Sequence, residues 1–145
     1  MTRSPCGILF MCVANSARSQ MAEAIAKHLL PEDVPVYSAG SAPSKINPHA
    51  VAALAEIGLD ADAQYSKGVD QVPIHDVKWL ITLCAEEVCP IIPGVIHVLH
   101  WPHPDPGGGS PEEALASFCA VRDLIYKRCE DFVQSISPES DFSPM

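Results

Sequence analysis

Residues 7–11 read Gly-Ile-Leu-Phe-Met and carry no polar side chain at either alternate position. A strand with one face in water alternates apolar and polar residues, whereas a strand apolar on both sets is covered on both faces. Parallel strands need long crossover connections, usually helices, and those helices provide the cover. This one stretch therefore points to a parallel α/β fold, and the rest of the chain can be read for the elements that such a fold needs.

Those elements follow in order. Met21, Ala22, Ile25, Ala26, Leu29 and Leu30 form a stripe at helical spacing that starts near Ser19 and stops at Pro31. On that helix Glu23, Lys27 and His28 are expected to face outward or sideways. Residues 34–38 read as a short second strand, and the breakers at 39–43 end it. Asn47 before Pro48 is a helix start, with a capping side chain followed by proline in the first turn. This second helix is expected to run to about Ile57, with Gly58 at its C-terminal cap. A short helix or turn is possible around 69–72. Residues 77–83 and 95–100 are the third and fourth strands.

Residues 101–110, Trp-Pro-His-Pro-Asp-Pro-Gly-Gly-Gly-Ser, are too rich in proline and glycine for regular structure and form a loop. Ser110-Pro-Glu-Glu113 then has the pattern of a capping box, and a long helix is expected to about Val133. Leu115, Phe118, Val121, Ile125 and Phe132 lie on or near one stripe of it. Residues 135–145 lack periodicity and are expected to fray. The sum is a four-stranded parallel sheet in a three-layer α/β/α arrangement. With 145 residues and 48% hydrophobic content, the chain is expected to form one domain spanning 1–145.

Composition narrows the function. The net charge of −9 argues against nucleic-acid binding, which wants a basic face. It also means that any anionic substrate must be attracted locally. No run is long enough for a membrane helix, and no signal peptide is evident, so a cytoplasmic protein is expected. There cysteines stay mostly reduced, and a disulfide among the six is more often transient than structural.

The chemistry centres on the end of the first strand, where Cys12 precedes Val13, Ala14, Asn15, Ser16, Ala17, Arg18 and Ser19. Small residues between a strand and a helix let backbone N–H groups turn inward, which makes a nest for an anion at a helix N-terminus. Arg18 adds a fork of donors that matches a tetrahedral oxyanion. The same positive surroundings favour a thiolate over a thiol, and Ser19 can donate a hydrogen bond to the sulfur. The competing reading is a small buried cysteine in a chance C-x5-R pattern. In open α/β sheets ligands bind past the carboxyl ends of strands. Cys12, Cys84 and the loop after His100 all lie just past strand ends.

The stretch Cys12-Val-Ala-Asn-Ser-Ala-Arg-Ser-Gln-Met-Ala-Glu23 resembles the start of the arsenate reductases built on the low-molecular-weight tyrosine phosphatase fold. The resemblance extends to the last helix. It implies an arsenate reductase, with Cys12 attacking arsenate held by the loop amides and Arg18. Asp105, in His100-Trp101-Pro-His-Pro-Asp105-Pro106, matches the family's general acid; from position alone it could equally be a turn aspartate. Relatives often have a second acidic residue where this chain has Pro104.

Cys84 and Cys89 match the two relay cysteines, of which the first attacks the arsenic-bearing sulfur and the second resolves the disulfide. From the residues alone they could also be buried thiols, or a metal clip with His97 or His100. The Cys-x4-Cys spacing lacks the second pair that zinc would want, so no metal is assigned. Cys6, Cys119 and Cys129 match no family site and are read as structural. No tightly bound cofactor is expected. Electrons would come from thioredoxin, with glutaredoxin or a mycothiol–mycoredoxin system as alternatives, and the chain is expected to be a monomer.

Some relatives bind a potassium ion behind the loop. Asn15, Glu23 and Ser38 match three of its ligands, and Lys67 stands where those relatives have an aspartate; its ammonium is expected to replace the ion. Two rival functions remain. A low-molecular-weight protein tyrosine phosphatase would use Cys12, Arg18 and Asp105 alone, although Gly107 stands where such phosphatases carry a tyrosine. A non-enzymatic thiol or metal-binding module would need no turnover.

Overall fold

A computed structural model of the chain describes residues 7–12, 17–30, 34–40, 45–61, 64, 66–83, 97–101 and 110–136. Within these lie β1 (Gly7–Cys12), α1 (Arg18–Leu29), β2 (Val36–Gly40), α2 (Pro48–Glu56), β3 (Val77–Thr82), β4 (His97–His100) and α3 (Pro111–Ile136). Two 3-10 turns, Val69–Gln71 and Ile74–Asp76, precede β3. The strands form one parallel sheet in the order β2-β1-β3-β4.

All six residues of β1 are buried, as its unbroken apolar run requires. Successive side chains of a strand point to opposite faces, so β1 feeds two cores. Ile8, Phe10 and Cys12 face the larger one, together with Met21, Ile25, Leu54, Phe118 and Ile125 from the helices. The three helices pack on one another over that face. Leu9 and Met11 face a smaller cluster with Ala39, Val72 and Leu80. Val72, between the two 3-10 turns, helps to cover this second face.

Gly7 opens β1 for a steric reason. A Cβ at this position would stand 2.6 Å from the carbonyl oxygen of Asp76, closer than van der Waals contact allows.

The local signals act as their chemistry dictates. The Asn47 side chain accepts a hydrogen bond from the His49 N–H at 2.8 Å, which caps α2. Gly58 adopts φ of 79° just past the end of that helix. Before α3 both halves of the capping box form. Ser110 N–H donates to Glu113 Oε1 at 3.0 Å, and Glu113 N–H donates to Ser110 Oγ at 3.2 Å.

Three expectations are corrected. β2 spans Val36–Gly40, so it begins two residues later than expected and continues through Ala39 and Gly40, where the breakers were expected to end it. α3 continues to Ile136, so the expected fraying at 135 starts at least two residues too early. Glu23 is buried rather than turned outward, for a reason given below.

Candidate active site

In the order β2-β1-β3-β4 the chain leaves β1 for β2 on one side and later returns to β3 on the other. The crevice at the carboxyl ends of β1 and β3 is thus a topological switch point, where open α/β sheets bind ligands. Cys12 is the last residue of β1, and Arg18 is the first of α1. The end of the strand and the start of the helix deliver the thiol and the guanidinium to this crevice.

The Cys12 sulfur lies 3.0 Å from Ser19 Oγ in a buried setting. If the sulfur is ionised, the hydroxyl must donate, in a charge-assisted hydrogen bond. Arg18 is 4% exposed, and its Nη1 donates to the Leu83 carbonyl at 3.3 Å. The guanidinium is thereby fixed across the switch point from β1. Ala17 at the start of α1 supplies no capping side chain, and the first turn contains no acidic residue. Nothing in that turn therefore offsets the positive end of the helix dipole, which suits an anion.

Of the other site residues read from the sequence, Val13, Ala14, Asn15, Ser16, Cys84, Cys89 and Asp105 lie outside the described residues, as does Cys6. The described chain does reach the edge of each segment. Leu83 precedes Cys84 and is tied to β1 by its N–H, which donates to the Met11 carbonyl at 2.9 Å. Trp101 leads toward Asp105 and is tied to β3 by its N–H, which donates to the Thr82 carbonyl at 2.8 Å.

Next to Ser38 of β2, Glu23 holds three partners among the described residues. Ser38 Oγ donates to its Oε1 in a short hydrogen bond. Lys27 Nζ lies 2.6 Å from Oε2, and Lys67 Nζ lies 3.6 Å from Oε1. Lys67 also reaches Ser38 Oγ at 3.5 Å. A buried carboxylate must be paired, and these partners explain why Glu23 turns inward. The backbone brings Lys67 there, because Gly40 N–H donates to the Lys67 carbonyl at 2.9 Å and aligns that segment with the end of β2. An ammonium beside Glu23 and Ser38 leaves a poor setting for a metal cation, since like charges would meet at close range. Among the described residues no group of three histidine, cysteine or acidic side chains is placed to hold a metal.

The other described cysteines are free thiols away from the switch point. Cys129 is buried in the main core, and desolvation pushes its pKa up to about 12. Cys119 is half-buried and donates to Glu56 Oε1 at 3.2 Å; burial first, and that bond second, raise its pKa. Both effects keep the proton on sulfur, which makes these thiols poor nucleophiles.

Sequence reasoning missed two contacts that frame the site. The Gln64 amide nitrogen donates to Gln20 Oε1 at 2.6 Å and to the Gln20 carbonyl at 3.1 Å, bracing the first turn of α1. Thr82 Oγ1 lies 2.5 Å from His100 Nδ1, joining the ends of β3 and β4. The only signal for the second pair was that both residues close apolar strands.

The profile of the low molecular weight phosphotyrosine protein phosphatases matches residues 7–141. The chain belongs to that family. Within the family its similarity to arsenate reductases is extensive. It is 42% identical to the arsenate reductase of Halalkalibacterium halodurans over 132 residues, which cover 88% of this chain and 95% of that one. It is 39% identical to the arsenate reductase of Bacillus subtilis, with the same coverage of each chain. Among solved structures, an arsenate reductase in the phosphate binding state superposes with a TM-score of 0.78. That protein is 31% identical, with 91% of this chain and 99% of the other covered. A tyrosine phosphatase of Erwinia amylovora shares the fold, with a TM-score of 0.74 at 22% identity over 91% of this chain and 93% of that one. No described helix is long and apolar enough to cross a membrane.

Proposed function

We propose that the protein is an arsenate reductase that converts arsenate to arsenite by a thiol relay, acting as a single-domain, monomeric, cytoplasmic enzyme. The observation that carries this reading is the pairing of Cys12 with Ser19 and of Arg18 with the strand end before Cys84. It supports an anion-favouring thiol site tied to Leu83, the residue that precedes a second cysteine in the sequence. The extent of identity to arsenate reductases supports the same reading.

In the proposed sequence, arsenate sits between Arg18 and the amides of residues 13–19. The Cys12 thiolate attacks arsenic, forming an S–As bond, while Asp105 delivers a proton to the oxygen that departs as water. The Cys84 thiolate then attacks the Cys12 sulfur. An S–S bond forms, the S–As bond breaks, and its electron pair stays on arsenic. Arsenic(V) thus becomes arsenic(III) and leaves as arsenite. Cys89 attacks Cys84, freeing Cys12 and leaving a Cys84–Cys89 disulfide. An external dithiol donor returns two electrons to that disulfide. Thioredoxin is the first candidate, and glutaredoxin or mycoredoxin the alternatives.

Arsenate-dependent NADPH oxidation in the presence of thioredoxin and its reductase tests this reading. Turnover is expected with the native chain and is expected to vanish in Cys84→Ser and Cys89→Ser. Full arsenate turnover in both variants would exclude the relay. Phosphate-ester hydrolysis with no arsenate turnover would point instead to the phosphatase.

A further inference from the structure

Four of the hydrogen bonds at the two residues before Cys84 tie them to the neighbouring strand ends and to Arg18. Leu83 N–H donates to Met11, Leu83 C=O accepts from Arg18, and Thr82 C=O accepts from Trp101 N–H. The fourth bond joins two side chains, Thr82 Oγ1 and His100 Nδ1, at 2.5 Å. Thr82 and His100 are direct partners in the β3–β4 ladder. Thr82 is 7% exposed, so its hydroxyl has little access to water, and leaving it unpaired would be costly. Its other neighbour, the Leu99 carbonyl, is 3.5 Å away and makes a marginal hydrogen bond. The imidazole is therefore its principal partner.

From this arrangement we propose that His100 is a positioning residue for the relay. By holding the Thr82 hydroxyl it fixes the end of β3, and with it the approach of Cys84 to the Cys12 sulfur. The inference rests on the relay of the preceding subsection. It concerns one step, in which the Cys84–Cys12 S–S bond forms, the S–As bond breaks, and arsenic takes the electron pair. The attack on arsenate by Cys12 precedes that step and involves β1 and α1. His100 should leave it untouched.

Misplacing reacting atoms by about 1 Å can cost on the order of 100-fold in rate, so His100→Ala and Thr82→Val are expected to slow the step by about 10-fold or more. The test is a single-turnover quench of the reduced, full-length protein with inorganic arsenate and no donor, following disulfide formation. In parallel, the rate of Cys12 alkylation by iodoacetamide, and its protection by arsenate, report the first site. The expected result is slowed disulfide formation with unchanged alkylation and protection. His100→Asn keeps a hydrogen-bonding group near the Nδ1 position, and Thr82→Ser keeps the hydroxyl; both are expected to recover most of the rate. Disulfide formation at the native rate in His100→Ala and Thr82→Val overturns the proposal. So does a parallel loss of alkylation and disulfide formation, which would mark a general structural role. If the native protein itself forms no arsenate-driven disulfide, the relay reading falls and this inference falls with it.

Discussion

Lys67 and Glu23, 44 positions apart in the sequence, meet beside Ser38 of β2 with Nζ 3.6 Å from Oε1. Both are almost fully buried, and Ser38 bridges them. The ammonium thus places a positive charge beside Glu23 and Ser38, and we propose that no monovalent cation is needed there. Activity is expected to be the same in potassium, sodium and choline salts at equal ionic strength. Potassium-specific activation of the native chain would contradict this. Among the described residues, Lys67→Met leaves Glu23 with Lys27 and Ser38. Removing one partner of a buried pair typically costs about 3–5 kcal/mol, and the surviving Lys27 contact places the expected loss at about 3 kcal/mol. Urea denaturation measures it.

Ser19 is expected to matter for reactivity rather than for folding. Its hydroxyl is the described side-chain partner of the Cys12 sulfur. Hydrogen bonds to charged groups contribute about 1.5–3 kcal/mol. Ser19→Ala should therefore lower the rate of Cys12 alkylation at neutral pH by roughly 10-fold or more, with little change in thermal midpoint. An unchanged rate would remove Ser19 from the site.

Cys129 gives the alkaline limb of stability a specific signature. Its folded pKa, pushed up to about 12, exceeds that of an unfolded thiol, about 8.5. The folded state therefore holds the proton more tightly. The benefit is fully present below the unfolded pKa and is lost as pH rises toward the folded one, by at most about 1.4 kcal/mol per pH unit. Cys129→Ala loses some packing at pH 7, and the gap between it and the native chain should narrow from pH 8.5 to 10. A gap independent of pH would contradict the assignment.

Gly7 tests the fit of β1 against the turn before β3. A methyl group there meets backbone rather than a yielding side chain, 2.6 Å from the Asp76 carbonyl oxygen. Gly7→Ala is expected to cost about 1–3 kcal/mol, the usual range for overpacking. Loss of stability in thermal melts, with normal Cys12 alkylation in the folded fraction, is the expected result.

What the sequence discloses and what it hides follow from range. The Asn47 cap, Gly58 and the Ser110–Glu113 box act over a few residues, so residue type and spacing alone identify them. The buried β1 was legible because a strand without polar positions has few places to go. Helical spacing misjudged Glu23 by putting it beside Lys27 on the solvent side, and only the family resemblance joined it to Ser38 and Lys67. Its burial depends on Ser38 and Lys67, which only the packed β2 edge brings near. The Thr82–His100 pair depends on the register of β3 against β4, which no local pattern states.

The central claim is that Cys12 starts a relay that ends on Cys84 and Cys89. Its most direct test is to add one equivalent of arsenate to the reduced protein without donor, quench, and map disulfides by peptide mass spectrometry while counting arsenite. The account predicts a Cys84–Cys89 disulfide and one arsenite per chain, both abolished in Cys12→Ser. Arsenite formed at the native yield in Cys12→Ser, or a disulfide falling on Cys119 or Cys129 instead, would contradict it.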